Sequence, residues 1–278
     1  MTSIPNHKRL AVCTWSLLPV GPIDLVARLH ATGITRAQLA LDPLRGDPAV
    51  WGDTKSLLAD HGIEIVSGMF GCVGEDYATL ESIRATGGIA PDATWGENLR
   101  NIRATAELAS KLGLKLVTFH AGFLPSDESD PEFEKMLMRL KTVAEVFAAA
   151  GMDLALETGQ ESALSLQAIL LGLNAPNLFV NFDPANMILY GKGDPVQSVG
   201  VLGRWIRQVH IKDATRAVTP GTWGEEVAVG SGDVDWPRFF AALEDIDFTG
   251  DWVIEREAGI DRIADILTAK QLVLESTR

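Results

Sequence analysis

Four ionisable side chains close four successive apolar runs in the second half of the chain. Glu157 ends Leu-Ala-Leu-Glu, Asp183 ends Val-Asn-Phe-Asp, His210 ends Arg-Gln-Val-His and Glu255 ends Trp-Val-Ile-Glu. Each has an ordinary role when taken alone. A carboxylate after an apolar run can cap the next helix. Asp183-Pro184 reads as a turn opening, and Glu255 has an arginine beside it. Gathered at one place, three carboxylates and an imidazole repel one another unless a cation neutralises them. An oxygen-rich set with one nitrogen favours Mn²⁺, with Mg²⁺, Co²⁺ and Zn²⁺ as alternatives, over a thiolate-seeking metal.

Something must bring those four ends together. The chain repeats a short apolar run, a polar loop and an amphipathic stretch. Runs at 10–15, 34–41, 63–70, 114–120, 152–157, 178–183, 206–210 and 252–255 make eight strand candidates. Val, Ile, Leu and Phe dominate them, as in parallel strands buried on both faces. Helical spacing of three and four covers 97–112 and 132–150, and each stretch stops at a glycine, Gly113 or Gly151. A helix is expected from about Pro22 to Thr32, another opens at Asp235-Trp-Pro, and a last one covers about 261–275. The pattern predicts an α/β chain forming a single (β/α)8 TIM barrel over residues 1–278. In such barrels the active site lies at the C-terminal strand ends, where the four groups stand. A doubly wound sheet is the alternative, yet no Gly-rich dinucleotide fingerprint or P-loop follows a strand.

Composition narrows the function. Net charge is −13, which argues against a nucleic-acid partner. Two cysteines, Cys13 and Cys72, cannot form a disulfide framework and read as small buried hydrophobes in a cytoplasmic protein. His7, Lys8 and Arg9 before an apolar run imitate a signal peptide, but a first strand is the favoured reading. No apolar stretch reaches the ~20 residues of a membrane span, so no membrane partner is expected. Residues 213–234 form a long connection carrying Pro220, Gly221, Trp223 and Gly224, either a lid or an ordered surface excursion.

The ordered series Glu157, Asp183, His210, Glu255, with His-Ile-Lys-Asp and Ile-Glu-Arg-Glu around its last two members, resembles the xylose-isomerase-like TIM-barrel superfamily. That group includes ketose 3-epimerases, inosose isomerases and dehydratases, and endonuclease IV. The resemblance implies that the four residues are metal ligands and that Glu157 and Glu255 are also the acid/base pair. It implies a small carbohydrate substrate, a substrate contact at Arg216 and assembly as a dimer or tetramer. Isomerising a hydroxy-ketone removes a proton next to a carbonyl, and a divalent metal stabilises the enediolate that forms.

One departure stands out. The epimerases carry histidine where this chain has Asn186, and an amide holds a substrate oxygen but relays no proton. A lyase expelling a β-substituent from a keto-inositol or 3-keto-glycoside is therefore the second reading. An abasic-site nuclease is a remote third, because His7, His30 and His61 stand away from the rim and cannot build its metal cluster. A sugar-binding barrel without catalysis is the fourth. Strand parity places Lys212 and Glu257 with His210 and Glu255. Lys212 is read either as a substrate contact or proton donor or as a surface ion pair with Asp213. His120, Gln160 and Trp15 complete the candidate substrate contacts, each weighed against a place in the core. Cys72 lacks a partner pattern for a reactive thiol.

Overall fold

Eight parallel strands close on themselves in the order β1-β10-β7-β6-β5-β4-β3-β2. The computed structural model describes residues 9–125, 129–219 and 221–276. The barrel strands are β1 (Leu10–Cys13), β2 (Arg36–Ala40), β3 (Glu64–Met69), β4 (Leu116–Phe119), β5 (Asp153–Glu157), β6 (Leu178–Phe182), β7 (Ile206–Ile211) and β10 (Asp251–Ile254). All their pairings are parallel. His7, Lys8 and Pro220 lie outside the described residues. Among the described residues no helix is long and apolar enough to cross a membrane.

Helices fill each crossover. The first, Pro22–Thr32, matches its expected bounds, with proline in its first turn and Gly33 in the left-handed region at its end. The helix expected to start at residue 97 begins a turn earlier, at Asp92, directly after Pro91. Gly96 does not break it, because one glycine costs a helix only about 1 kcal/mol. Between β2 and β3 the crossover is three short helical pieces, Asp42–Gly46, Pro48–Trp51 and Thr54–Asp60. Pro48 and Gly52 divide it, and the Asp47 side chain caps the middle piece.

Parity sorts the barrel into two environments. Outward residues such as Val12, Val117, Val180 and Val209 pack under the helices in one continuous apolar layer. The inside is different. Ala11, Cys13 and Val253 form only a small apolar plug. Around it stand Gln38, Ser67, Thr118, Asn181 and Gln208, all fully buried. They satisfy one another: Ser67 Oγ donates to Gln208 Oε1 at 2.6 Å, Gln208 Nε2 to Asn181 Oδ1 at 3.1 Å, and Gln38 Nε2 to Thr118 Oγ1 at 2.8 Å.

The long connection is an anchored hairpin. β8 (Asp213–Thr215) pairs antiparallel with β9 (Glu225–Val227). Asp213 is fully buried, which removes the surface ion pair considered for it. Its carboxylate accepts from the backbone N–H groups of Ala214, Gly230, Gly232 and Val234 and from Trp236 Nε1. Only glycine fits at 232, since a Cβ there would sit 2.1 Å from Asp213 Oδ1. Glu226 Oε1 accepts from Arg256 Nη1 at 2.8 Å and from the backbone N–H groups of Glu257 and Ala258. Gly224 N–H donates to the Leu189 carbonyl. These bonds tie the hairpin to the end of β10 and to the helix Pro184–Leu189, so it forms a wall of the barrel mouth. Asp213→Ala would strand several buried donors and should cost at least about 3 kcal/mol. Urea unfolding checks this; a loss below about 1 kcal/mol would show that the hairpin is not held this way.

Candidate active site

The end of β5 delivers Glu157, and β7 delivers His210. Asp183 and Glu255 stand one residue past β6 and β10. Asp183 doubles as the cap of Pro184–Leu189, accepting from Asn186 N–H with Oδ1 at 3.0 Å. Thr158 clamps the same turn, donating to the Asp183 carbonyl and accepting from its N–H. One donor atom from each of Glu157, Asp183, His210 and Glu255 lies within 4.8 Å of the others, and all four residues are buried. His210 Nδ1 stands 3.3 Å from Glu157 Oε1, 3.3 Å from Glu255 Oε2 and 3.8 Å from Asp183 Oδ2.

The imidazole is oriented from behind. Its Nε2 lies 2.8 Å from Gln38 Oε1, which turns Nδ1 toward the carboxylates. Cys13 Sγ shares that oxygen at 3.5 Å, and burial pushes the thiol up. His210 Nδ1 and Asp183 Oδ2 are buried and have no hydrogen-bond partner among the described residues. Orphaned donor atoms of this kind fit a cation site. The charges agree: the three carboxylates carry more negative charge than the Lys212 ammonium, which Glu257 also shares, can offset. The four residues therefore fit a divalent cation.

The carboxyls experience different fields. Burial pushes Glu255 up, but Lys212 and His210 outweigh it and hold the group well below the usual range. Burial likewise opposes ionisation of Glu157, and His120 and His210 bring it below its ordinary value. Asp183 stays raised, because burial there exceeds the pull of Lys212.

A cavity of about 460 Å³ opens beside the cluster. Trp15, Asn186, Lys212 and His120 line it, and each touches a member of the cluster. Trp15 Nε1 donates to Glu255 Oε1 at 2.8 Å, so the indole positions the carboxylate as well as walling the cavity. It stands in the 3-10 turn Thr14–Leu17, not at the end of β1. Asn186 Nδ2 donates to Glu157 Oε1 at 2.9 Å, and its Oδ1 accepts from Lys212 Nζ at 3.3 Å. Gly159 permits this, because a Cβ there would meet Asn186 Cβ at 2.5 Å. Lys212 Nζ donates to Glu255 at 2.9 Å and to Glu257 at 2.6 Å, bridging the two carboxylates that strand parity pairs. His120 Nε2 is 3.6 Å from Glu157 Oε2.

Two candidates lie elsewhere. Arg216 is exposed, with its guanidinium 3.8 Å from Asp233, because β8 has already turned out of the barrel to pair with β9. Gln160 faces a neighbouring cavity and donates to the Tyr190 hydroxyl at 3.3 Å. His30 and His61 meet edge to face with ring centroids 5.3 Å apart. Burial pushes the Cys72 thiol up, which disfavours a nucleophile. Sequence reasoning did not single out Gln38, Asn181, Tyr77, Tyr190 or Glu226. Period two run downward from His210 and Asp183 reaches Gln208 and Asn181, so part of that support carried a signal. Tyr77 and Tyr190 sit in loops and carried none.

Comparison with known proteins agrees with the geometry. A family model described as the xylose isomerase-like TIM barrel matches residues 23–273. The structure is similar to a xylose isomerase domain protein from Planctomyces limnophilus, at 29% identity, 96% coverage of each chain and a TM-score of 0.86. It is also similar to an L-ribulose 3-epimerase, at 18% identity, covering 97% of this chain and 94% of that one, with a TM-score of 0.73. A probable 3-DHS dehydratase, AsbF, from Bacillus anthracis aligns at 19% identity over 96% of this chain and 98% of its own, also with a TM-score of 0.73. A search of curated proteins found no match. With the model spanning nearly all of the barrel, the chain belongs to the xylose isomerase-like TIM barrel family.

Proposed function

We propose that this protein is a divalent-metal-dependent isomerase or epimerase of a ketose or related keto-polyol. The observation that carries the reading is the pair of carboxylates, Glu157 and Glu255, beside one imidazole with an unpartnered nitrogen. Glu157, Asp183, His210 and Glu255 would hold the cation. Bound there, it supplies positive charge against the negative charge that develops on a substrate carbonyl oxygen when the adjacent carbon loses its proton.

The chain's own groups do the rest. Both glutamates favour the ionised form, so either can accept the proton, and the other returns one to the opposite face only after taking a proton from water. Lys212 holds the Glu255 carboxylate in place and keeps it charged. Asn186 fixes Glu157 through its amide N–H. Trp15 offers an indole face to the cavity, suited to the apolar face of a sugar ring.

The lyase reading shares the first proton removal and differs in losing a β-substituent. Asn186 at this position is what keeps it in view. Proton exchange followed by NMR in D₂O, with Mn²⁺ and a panel of ketoses, inososes and 3-keto-glycosides, separates the two. Deuterium next to the carbonyl with no group lost is the expected result; release of water or an aglycone would make the protein a lyase.

Three variants test the assignments. Mn²⁺ should raise Tm and a chelator reverse the rise, whereas Asp183→Asn should abolish the response. An unchanged response in Asp183→Asn would remove that residue from the ligand set. Glu255→Gln should lower turnover by at least about 10³-fold while the circular dichroism spectrum is retained. Near-normal activity would sink the mechanism. Lys212→Met should lower turnover without weakening Mn²⁺ binding, because removing the ammonium leaves the cluster more negative. Loss of metal binding in step with activity would instead make Lys212 a purely structural partner.

A further inference from the structure

A second cavity, of about 790 Å³, lies between the segments that follow β4 and β5. It adjoins the one over the cluster, and three side chains mark the border. Tyr190 lines the first cavity. Phe123 and Gln160 line the second. The Phe123 and Tyr190 rings meet edge to face at 5.8 Å, and the Gln160 amide donates to the Tyr190 hydroxyl. Trp223 packs on the far side of Tyr190 at 4.9 Å, so an aromatic row runs from one cavity toward the other.

The second cavity has a feature that its own fold does not use. Glu161 is 8% exposed, lines it, and forms no hydrogen bond or ion pair among the described residues. Burial raises its carboxyl to about 8, against the opposing pull of His120 and Lys192. Near neutral pH it is therefore largely protonated and can both donate and accept hydrogen bonds. A buried polar group without a partner is costly unless a ligand or water completes it. Gln160, Ser165 and Lys192 line the same cavity, as do Phe123 and the Arg84 guanidinium that lies over its ring at 5.0 Å. Hydroxyl, amide and carboxyl groups beside an aromatic ring match a polyhydroxylated ring, which has an apolar C–H face and a rim of hydroxyls. The charges do not suit a phosphate: three basic side chains are matched by three carboxylates besides Glu161, and Lys135 is already paired with Asp92 and Glu132.

We infer that the second cavity is a subsite for a further sugar or similar polyhydroxylated unit, so that the substrate is a neutral glycoside or disaccharide spanning both cavities. Its reacting ring sits over Glu157, Asp183, His210 and Glu255, and its second unit lies against Phe123 and Glu161. This rests on the proposed function only in placing a sugar ring in the first cavity.

Calorimetric titration of the Mn²⁺-loaded protein tests it without requiring turnover. The probes are glucose and methyl glucoside, against cellobiose, maltose and trehalose. At least one disaccharide should bind about tenfold or more tightly than the single-ring probes. Glu161→Leu, which removes the unpaired carboxyl, and Ser165→Tyr, which fills the cavity, should each erase that advantage and leave single-ring affinity unmoved. Equal affinity for one and two rings would overturn the subsite. So would an advantage that survives both variants. If the advantage appears and the D₂O experiment shows no exchange on any ketose, the subsite stands and the proposed reaction alone fails.

Discussion

Mutual repulsion among three buried carboxylates governs this structure. Glu157, Asp183 and Glu255 converge within a few ångströms, and all three are buried. Without compensation such a cluster would drive the strand ends apart. Compensation comes from several directions. Lys212 enters from β7's continuation, Trp15 from the turn after β1, and Asn186 from the helix that Asp183 itself caps. What these donors leave unanswered is centred on His210 Nδ1 and Asp183 Oδ2. The place reserved for positive charge is thus defined by what the polypeptide does not satisfy.

The same constraint reaches down into the barrel. A purely apolar interior would give His210 no partner for Nε2 and Glu157 no second donor. The buried amides and hydroxyls of Gln38, Ser67, Thr118, Asn181 and Gln208 supply them, and each meets another member of the set. Hydrophobic stabilisation is therefore concentrated between sheet and helices, where the apolar layer is continuous. The barrel's inside is given over to orientation.

Much of this was legible in the sequence, and the reasons are physical. Parallel strands buried on both faces leave dense aliphatic runs, so all eight barrel strands could be placed, and the ionisable residue at the end of each late strand marked the rim. Strand parity correctly grouped Lys212 and Glu257 with the cluster. Loops were harder. Arg216 was placed by the family resemblance, which does not hold its side chain at the site once β8 leaves the barrel for a hairpin. Asp213 looked like a surface charge because its partners are backbone N–H groups, which no side-chain pattern announces. The inward glutamines and asparagine were overlooked because apolar counting passes over single polar residues inside a hydrophobic run.

Glu226 fastens the hairpin to the same stretch of chain that carries Glu255. That wall and that carboxylate consequently behave as one mechanical piece, and neither can drift without the other. Among the described residues the loop after β3 carries no comparable tie to the four clustered residues, and the loop after β4 offers only His120, 3.6 Å from Glu157 Oε2. The mouth of the barrel is thereby split into a half that is frozen by its chemistry and a half that is free to change. Lineages descending from such a barrel can exchange one substrate for another by rewriting the second half alone, with the proton-handling half inherited intact.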